Sequence, residues 1–229
     1  MTILKAVLFD CDGTIADSAG LICDTMERCF VAHGLEPPAR DATRSIIGLS
    51  LETAIVALRP SLTHFEAERL ADAYRNEYRL ERTRPHFSDH LFEGMANLVL
   101  DLAARESVFV GMVTGKSRRG VAALTASHGL TEAFSVVRTA DDCPSKPHPA
   151  MVLEACTELG VDPANAVVVG DTTYDMEMAR AAGAMALGVS WGSHTTEQLT
   201  RSGALQVVET VHDLASAVEN WLARQPASA

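Results

Sequence analysis

The chain has 229 residues, 47% hydrophobic and 21% charged, with 19 Lys and Arg against 30 Asp and Glu for a formal charge of −11. That length suits one domain, or one domain carrying an insertion, and the composition argues against disorder. The acidic balance speaks against nucleic-acid and anionic-membrane partners, and an acidic protein should repel an anionic substrate unless something local reverses the field.

No apolar run approaches the ~18 residues of a membrane span. The first one, Ala6–Phe9, is too short for a signal segment and leads straight into Asp10-Cys11-Asp12. Cys11, Cys23, Cys29, Cys143 and Cys156 are scattered without a Cys-x-x-Cys pair, which fits buried, reduced thiols in a cytoplasmic protein.

In chain order, short apolar runs predict strands at Ile3–Phe9, Val108–Val113, Phe134–Val137, Ala166–Val169, Ala184–Val189 and Leu205–Val208. Several are continuous rather than alternating, as strands covered on both faces should be. Helical periodicity lies between them, at about Met95–Arg105, Ser117–His128, Ala150–Leu159, Tyr174–Ala182, Thr196–Ser202 and Val211–Ala223. The alternation predicts an α/β fold, a parallel sheet sandwiched between helices. The end, Gln225–Ala229, reads as frayed. Between Asp17 and about His90 no good strand is found. Leu21–Ala32, Leu51–Leu58 and Phe65–Leu80 carry helical periodicity instead, which predicts an all-helical module inserted after the first strand.

Chemistry-bearing residues gather at strand ends, where ligands bind in open α/β sheets. Asp10 ends the first strand, with Asp12 and Gly13 just beyond; the glycine would let the backbone approach a ligand, although Asp-Gly also closes ordinary turns. Thr114-Gly115 ends the second strand and opens a helix, which is an anion seat or a plain helix cap. In Ser145-Lys146-Pro147-His148-Pro149 two prolines rigidify the chain around a lysine, a usual phosphate binder that is more often solvated. Asp171 ends a fourth run, and Asp175 follows four residues on as a helix begins, so both carboxylates can share one face. Oxygen-only ligands suit Mg²⁺, and no His/Cys group has zinc-ligand spacing.

Together, Asp10–Thr14, Thr114, Lys146-Pro147 and Gly170-Asp171 with Asp175 resemble the four ordered motifs of the haloacid-dehalogenase superfamily, in its phosphoglycolate-phosphatase-like branch. The likeness covers essentially the whole chain. It implies a Rossmann-like core of residues 1–16 and 91–229 and a helical cap of residues 17–90. It also implies a Mg²⁺-dependent phosphatase for a small phosphorylated metabolite. Asp10 would be the nucleophile, Asp12 the general acid and base, and Thr114, Lys146 and nearby N–H groups such as those of Gly13 and Gly115 the holders of phosphate oxygens. Mg²⁺ would be held by Asp10, the Asp12 carbonyl, Asp171 and Asp175. Arg44 to Ser50 resembles the cap's substrate-facing loop, where Arg44 could pair with a second anion or simply be solvated; Arg82 and Arg84 are weaker candidates.

Dehalogenases of the superfamily have an aromatic residue at the place of Asp12, and phosphonate-cleaving members a small one, so Asp12 favours phosphate esters. Two alternatives stand beside the phosphatase. One is a sugar phosphomutase of the β-phosphoglucomutase kind, disfavoured because Asp17–Ile22 lacks the histidine those enzymes commonly carry. The other is a non-catalytic phosphometabolite-binding protein. A monomer or homodimer is expected. Cys11 stands where many relatives have Leu or Met, and His148 has no assigned role.

Overall fold

The computed structural model describes residues 3–84 and 90–224. The chain enters the sheet at once with β1 (Lys5–Phe9) and then builds a helical lobe from α1 (Ala19–Ala32), α2 (Arg40–Arg44), α3 (Leu51–Leu58) and α4 (His64–Arg82). It returns through α5 (Met95–Ala103), β2 (Val108–Val113), α6 (Arg118–Ser127), β3 (Val136–Arg138), α7 (Ala150–Leu159) and β4 (Ala166–Gly170). It closes with α8 (Thr173–Ala182), β5 (Met185–Val189), α9 (Thr196–Ser202), β6 (Gln206–Val208) and α10 (Val211–Leu222).

All strands run parallel in one sheet of order β3-β2-β1-β4-β5-β6. The continuous apolar runs are explained by what covers the sheet. Val7 and Phe9 of β1 face one layer, with Leu98 and Leu102 of α5 and Val218 and Trp221 of α10. Ala6 and Leu8 face the other, with Met151 and Ala155 of α7 and Met176 and Ala179 of α8. Fully burying a side chain such as Leu8 or Phe9 is worth about 1.5–3 kcal/mol, so these few residues fix the register of the central strand.

The lobe has its own small core of Met26, Cys29, Phe30, Ile55, Leu70, Ala71 and Tyr74. Arg28 of α1 ties it together across to Glu77 and Glu81 of α4. Both connections to the sheet run side by side. Ala16 and Leu91 form an antiparallel bridge, and the Asp17 N–H donates to the His90 carbonyl at 2.9 Å. The expected lobe of residues 17–90 includes 85–89, and the expected frayed end is 225–229; both segments lie outside the described residues.

Two local expectations shift. Phe134 was expected to open the third strand, which instead starts at Val136; Phe134 follows a short 3-10 turn and is buried as a loop residue in the core. Helix α2 was not anticipated, because five residues after a Pro-Pro pair carry too little periodicity to register.

The order of the strands positions the site. The chain leaves β1 on one side toward β2 and β3 and later returns on the other to β4, so the crevice beyond the C-terminal ends of β1 and β4 is the topological switch point. Phe9 and Val169 are register partners, which sets Asp10 and Asp171, one and two residues beyond them, on adjacent strand ends.

Candidate active site

Asp10, Asp171 and Asp175 are buried and offer carboxylate oxygens that all lie within 4.8 Å of one another. Each is placed by a distinct local device. The Asp10 N–H continues the β1–β4 ladder by donating to the Val169 carbonyl at 2.9 Å. Asp171 accepts from the Ser193 N–H at 2.7 Å and from the Thr14 hydroxyl at 3.0 Å. Asp175 caps its own helix: one oxygen accepts from the Thr172 N–H at 3.2 Å and the Thr172 hydroxyl at 2.7 Å, in a capping box at the start of α8.

Lys146 is buried among them. Its Nζ lies 2.7 Å from Asp10 Oδ1 and donates to Asp175 Oδ1 at 2.6 Å. One ammonium faces three carboxylates, so full ionisation would leave two negative charges uncompensated in a buried crevice. Burial, reinforced by the neighbouring carboxylates, pushes Asp10 up to about 8 and Asp171 up to about 7. Burial alone would lower the Lys146 pKa, but Asp10 and Asp175 more than offset it and hold the ammonium charged. Asp10 Oδ2 has no hydrogen-bond partner among the described residues. An orphaned carboxylate oxygen, three oxygen donors within reach of one point and two excess negative charges fit a hard divalent cation.

Asp12 sits apart from this cluster, at the edge of a cavity of about 620 Å³ between the sheet and the lobe. Its Oδ1 accepts from the Ser18 hydroxyl at 2.6 Å and from Lys116 Nζ at 2.7 Å. Lys116 in turn lies 5.4 Å from the centre of the Tyr78 ring on α4. Sequence reasoning assigned no role to this lysine. A lysine opening a helix reads as solvated, and nothing local announces a partner 104 positions earlier in the chain. Thr114 is buried at the end of β2, its N–H given to the Arg138 carbonyl at 3.0 Å and its hydroxyl oxygen accepting from the Lys116 N–H at 3.2 Å, so its proton remains available to an anion.

Gly13 adopts φ +85°, and its N–H is already donated to the Ala16 carbonyl at 2.9 Å. A Cβ there would stand 2.2 Å from Asp171 Oδ2, so the glycine makes room for that carboxylate. Likewise a Cβ on Gly115 would stand 2.5 Å from the carbonyl oxygens of Gly48 and Leu49, which lets the lobe rest directly on the sheet edge.

Neither Arg44 nor Ser50 is among the residues lining the cavity. Arg44 donates to the Gly192 carbonyl at 3.2 Å, and the Ser50 N–H donates to Ser145 Oγ at 2.8 Å, so both stitch the lobe to the sheet. Arg82 lines the cavity, whereas Arg84 pairs with Glu81. Cys11 packs in the sheet core, where burial pushes its thiol up. His148 accepts from the Ala150 N–H at 3.2 Å at the start of α7, which gives it a structural place. No helix among the described residues is long and apolar enough to cross a membrane.

Residues 7–189 match the sequence profile of a family described as haloacid dehalogenase-like hydrolase. The chain is 35% identical over 222 residues to the protein of Dickeya dadantii (strain 3937) named "Probable phosphatase IndB", covering 94% of each. It is 29% identical over 223 residues to the phosphoglycolate phosphatase of Photorhabdus laumondii, covering 94% of this chain and 92% of that one. Among solved structures, a hydrolase from Pseudomonas syringae superposes with a TM-score of 0.83 at 25% identity, over 95% of this chain and 98% of the other.

Proposed function

The chain belongs to the haloacid dehalogenase-like hydrolase family, and from that membership we propose that it is a Mg²⁺-dependent phosphatase cleaving a small phosphate monoester through an aspartyl phosphate on Asp10. The observation that carries the reading is the buried triad Asp10, Asp171 and Asp175 with Lys146 at the switch point, and a further carboxylate, Asp12, two residues along.

Asp10, Asp171 and Asp175, with the Asp12 carbonyl, are the groups that would hold the cation. When bound, Mg²⁺ supplies positive charge that neutralises the carboxylates and the phosphate oxygens. Asp10 forms the new bond to phosphorus while the ester P–O bond breaks. Asp12 gives its proton to the departing alkoxide, then takes one from the water that hydrolyses the acyl phosphate, so phosphate leaves and both aspartates are regenerated. Ser18 and Lys116 fix Oδ1 of Asp12 and leave Oδ2 without a partner among the described residues, as a proton-transferring oxygen requires. Thr114 and Lys146 lie where they can hold non-bridging oxygens, and such positioning supplies most of the catalysis in phosphoryl transfer.

The helical lobe of residues 17–90 acts as the cap that excludes water over this site. Five free, buried cysteines suit a reducing cytoplasm, and the protein works as a monomer or homodimer. Replacing Asp10 by Asn should lower phosphate release from p-nitrophenyl phosphate with Mg²⁺ by at least about 10³-fold while circular dichroism stays unchanged. Substantial residual activity would remove Asp10 as nucleophile.

A further inference from the structure

The cavity that begins at Asp12 is far larger than a two-carbon leaving group needs. Glycolate has five heavy atoms and fills about 150 Å³ at about 30 Å³ per water-sized group. The cavity holds about 620 Å³, within the range that encloses ring-sized ligands. Its walls near the site are apolar and aromatic, including Ile22, Met26, Ile47, Tyr74 and Tyr78.

Its charge runs against that of the protein. Five of the nineteen Lys and Arg residues line it, Lys116, Arg75, Arg79, Arg82 and Arg119, against three of the thirty acids, Asp12, Glu52 and Asp141. The cations are arranged by helical spacing. Arg75, Arg79 and Arg82 recur at i, i+4 and i+7 along one face of α4, and Lys116 and Arg119 stand three apart where α6 begins. Arg75 is neutralised by Glu52 and Asp72, and Lys116 by Asp12. Arg79 donates to the neutral amide of Asn76, and neither it nor Arg119 meets a carboxylate among the described residues.

We infer that the leaving group carries a ring or comparable apolar body that packs against Tyr78, and a second anionic group, carboxylate or phosphate, bound by Arg79 and Arg119. The inference rests on the phosphatase reading and makes these residues the selectors of substrate. The chain order supports the layout: Asp12 pairs with Lys116, Lys116 faces Tyr78, and Arg79 and Arg82 follow Tyr78 within about one turn of α4. A guanidinium fork matches carboxylate or phosphate geometry, and both arginines are exposed at the rim, where they can meet the far end of an entering ester.

The test compares 2-phosphoglycolate, phenyl phosphate, 4-carboxyphenyl phosphate and 1,4-phenylene bisphosphate on the full chain with Mg²⁺. The wild type should prefer one of the two ring compounds with a second anion over 2-phosphoglycolate by about tenfold or more in kcat/KM. Which of the two wins identifies the anion. Arg79→Gln and Arg119→Gln should each raise KM for that compound about three- to tenfold, less at high salt, and leave phenyl phosphate within about twofold.

A preference for 2-phosphoglycolate, or equal losses for phenyl phosphate and its anionic analogues, would overturn the inference. Calorimetric binding of the same compounds to Asp10→Asn reads recognition without turnover. Failure of the wild type to release phosphate from every ester would sink the phosphatase reading, while the binding order and its loss in Arg79→Gln would still decide this one.

Discussion

The crevice at the sheet edge and the cavity under the lobe adjoin at Asp12 but are built by opposite rules. In the crevice every charged group is buried, and each of Asp171, Asp175 and Lys146 is pinned by short bonds from the chain around it. In the cavity most of the charged groups stand on helices, among them Arg75, Arg79 and Arg82 of α4, and much of the wall is apolar. The crevice gathers more carboxylates than ammonium, the condition under which a cation is bound strongly in a small volume. Much of the cavity wall comes from the lobe, away from the strands of the sheet. On the proposed function, the chemistry falls to the buried crevice and the selection of the ester to the cavity.

The largest separation of the two regions should come from Gly13→Ala. The new Cβ meets Asp171 Oδ2 at 2.2 Å in a left-handed backbone that costs a non-glycine residue about 1–2 kcal/mol. Activity toward every ester should fall together, by about 10²-fold or more, because the crevice and not the cavity is disturbed. A loss confined to bulky esters in steady-state assays would show that the two regions are not separable.

A smaller effect is expected from Lys116→Met, which sits at the boundary. Removing the ammonium 2.7 Å from Asp12 should lower kcat about tenfold by loosening the proton-transferring oxygen, with the Mg²⁺ response unchanged. A full loss of the Mg²⁺ response in a thermal melt would place Lys116 in the crevice instead.

A last effect, on stability rather than rate, concerns pH. Asp10 and Asp171 titrate near 8 and 7 when folded, against about 4 when unfolded. Between pH 4 and 8 the folded chain therefore keeps protons that the unfolded chain has released, so metal-free stability falls as pH rises through that window and levels off above about 8. The cation needs those carboxylates ionised, so Mg²⁺ should stabilise more at pH 8 than at pH 6. At about a hundred times its Kd it adds about 2.7 kcal/mol, or about 5–10 °C in Tm. Asp171→Asn should lose most of this gain. Equal gains in both proteins, or at both pH values, would dissociate the cation from the buried triad.

The sheet was legible because its strands are covered on both faces, so each appears as an unbroken apolar run ending in a polar residue. Three of the four motifs were legible for the same reason: Asp10, Thr114 and Asp171 stand where such a run ends, whereas Lys146, eight residues beyond β3, was marked by its prolines. Lys116 was not legible, because its meaning depends on Asp12 and on Tyr78 of the lobe, and both neighbours are created by folding. Gly13 is legible as a point of close approach, but the approach of Asp171 is not, since that residue arrives from another strand. Of the arginines of α4 only Arg82 was singled out in the sequence, because Arg75 and Arg79 gain a meaning only from the cavity that folding places beside them.

The bridge between Ala16 and Leu91, with the Asp17–His90 bond beside it, has a consequence for how such a chain can diversify. Residues paired across an antiparallel bridge stand about 5 Å apart. The whole lobe therefore leaves and rejoins the sheet through a single narrow doorway, like a cassette in its slot. Its length and sequence can be exchanged without altering the order or register of any strand. Away from that doorway the lobe is held by side-chain and loop bonds such as those of Arg44 and Ser50, which a change of lobe sequence can rewrite one at a time.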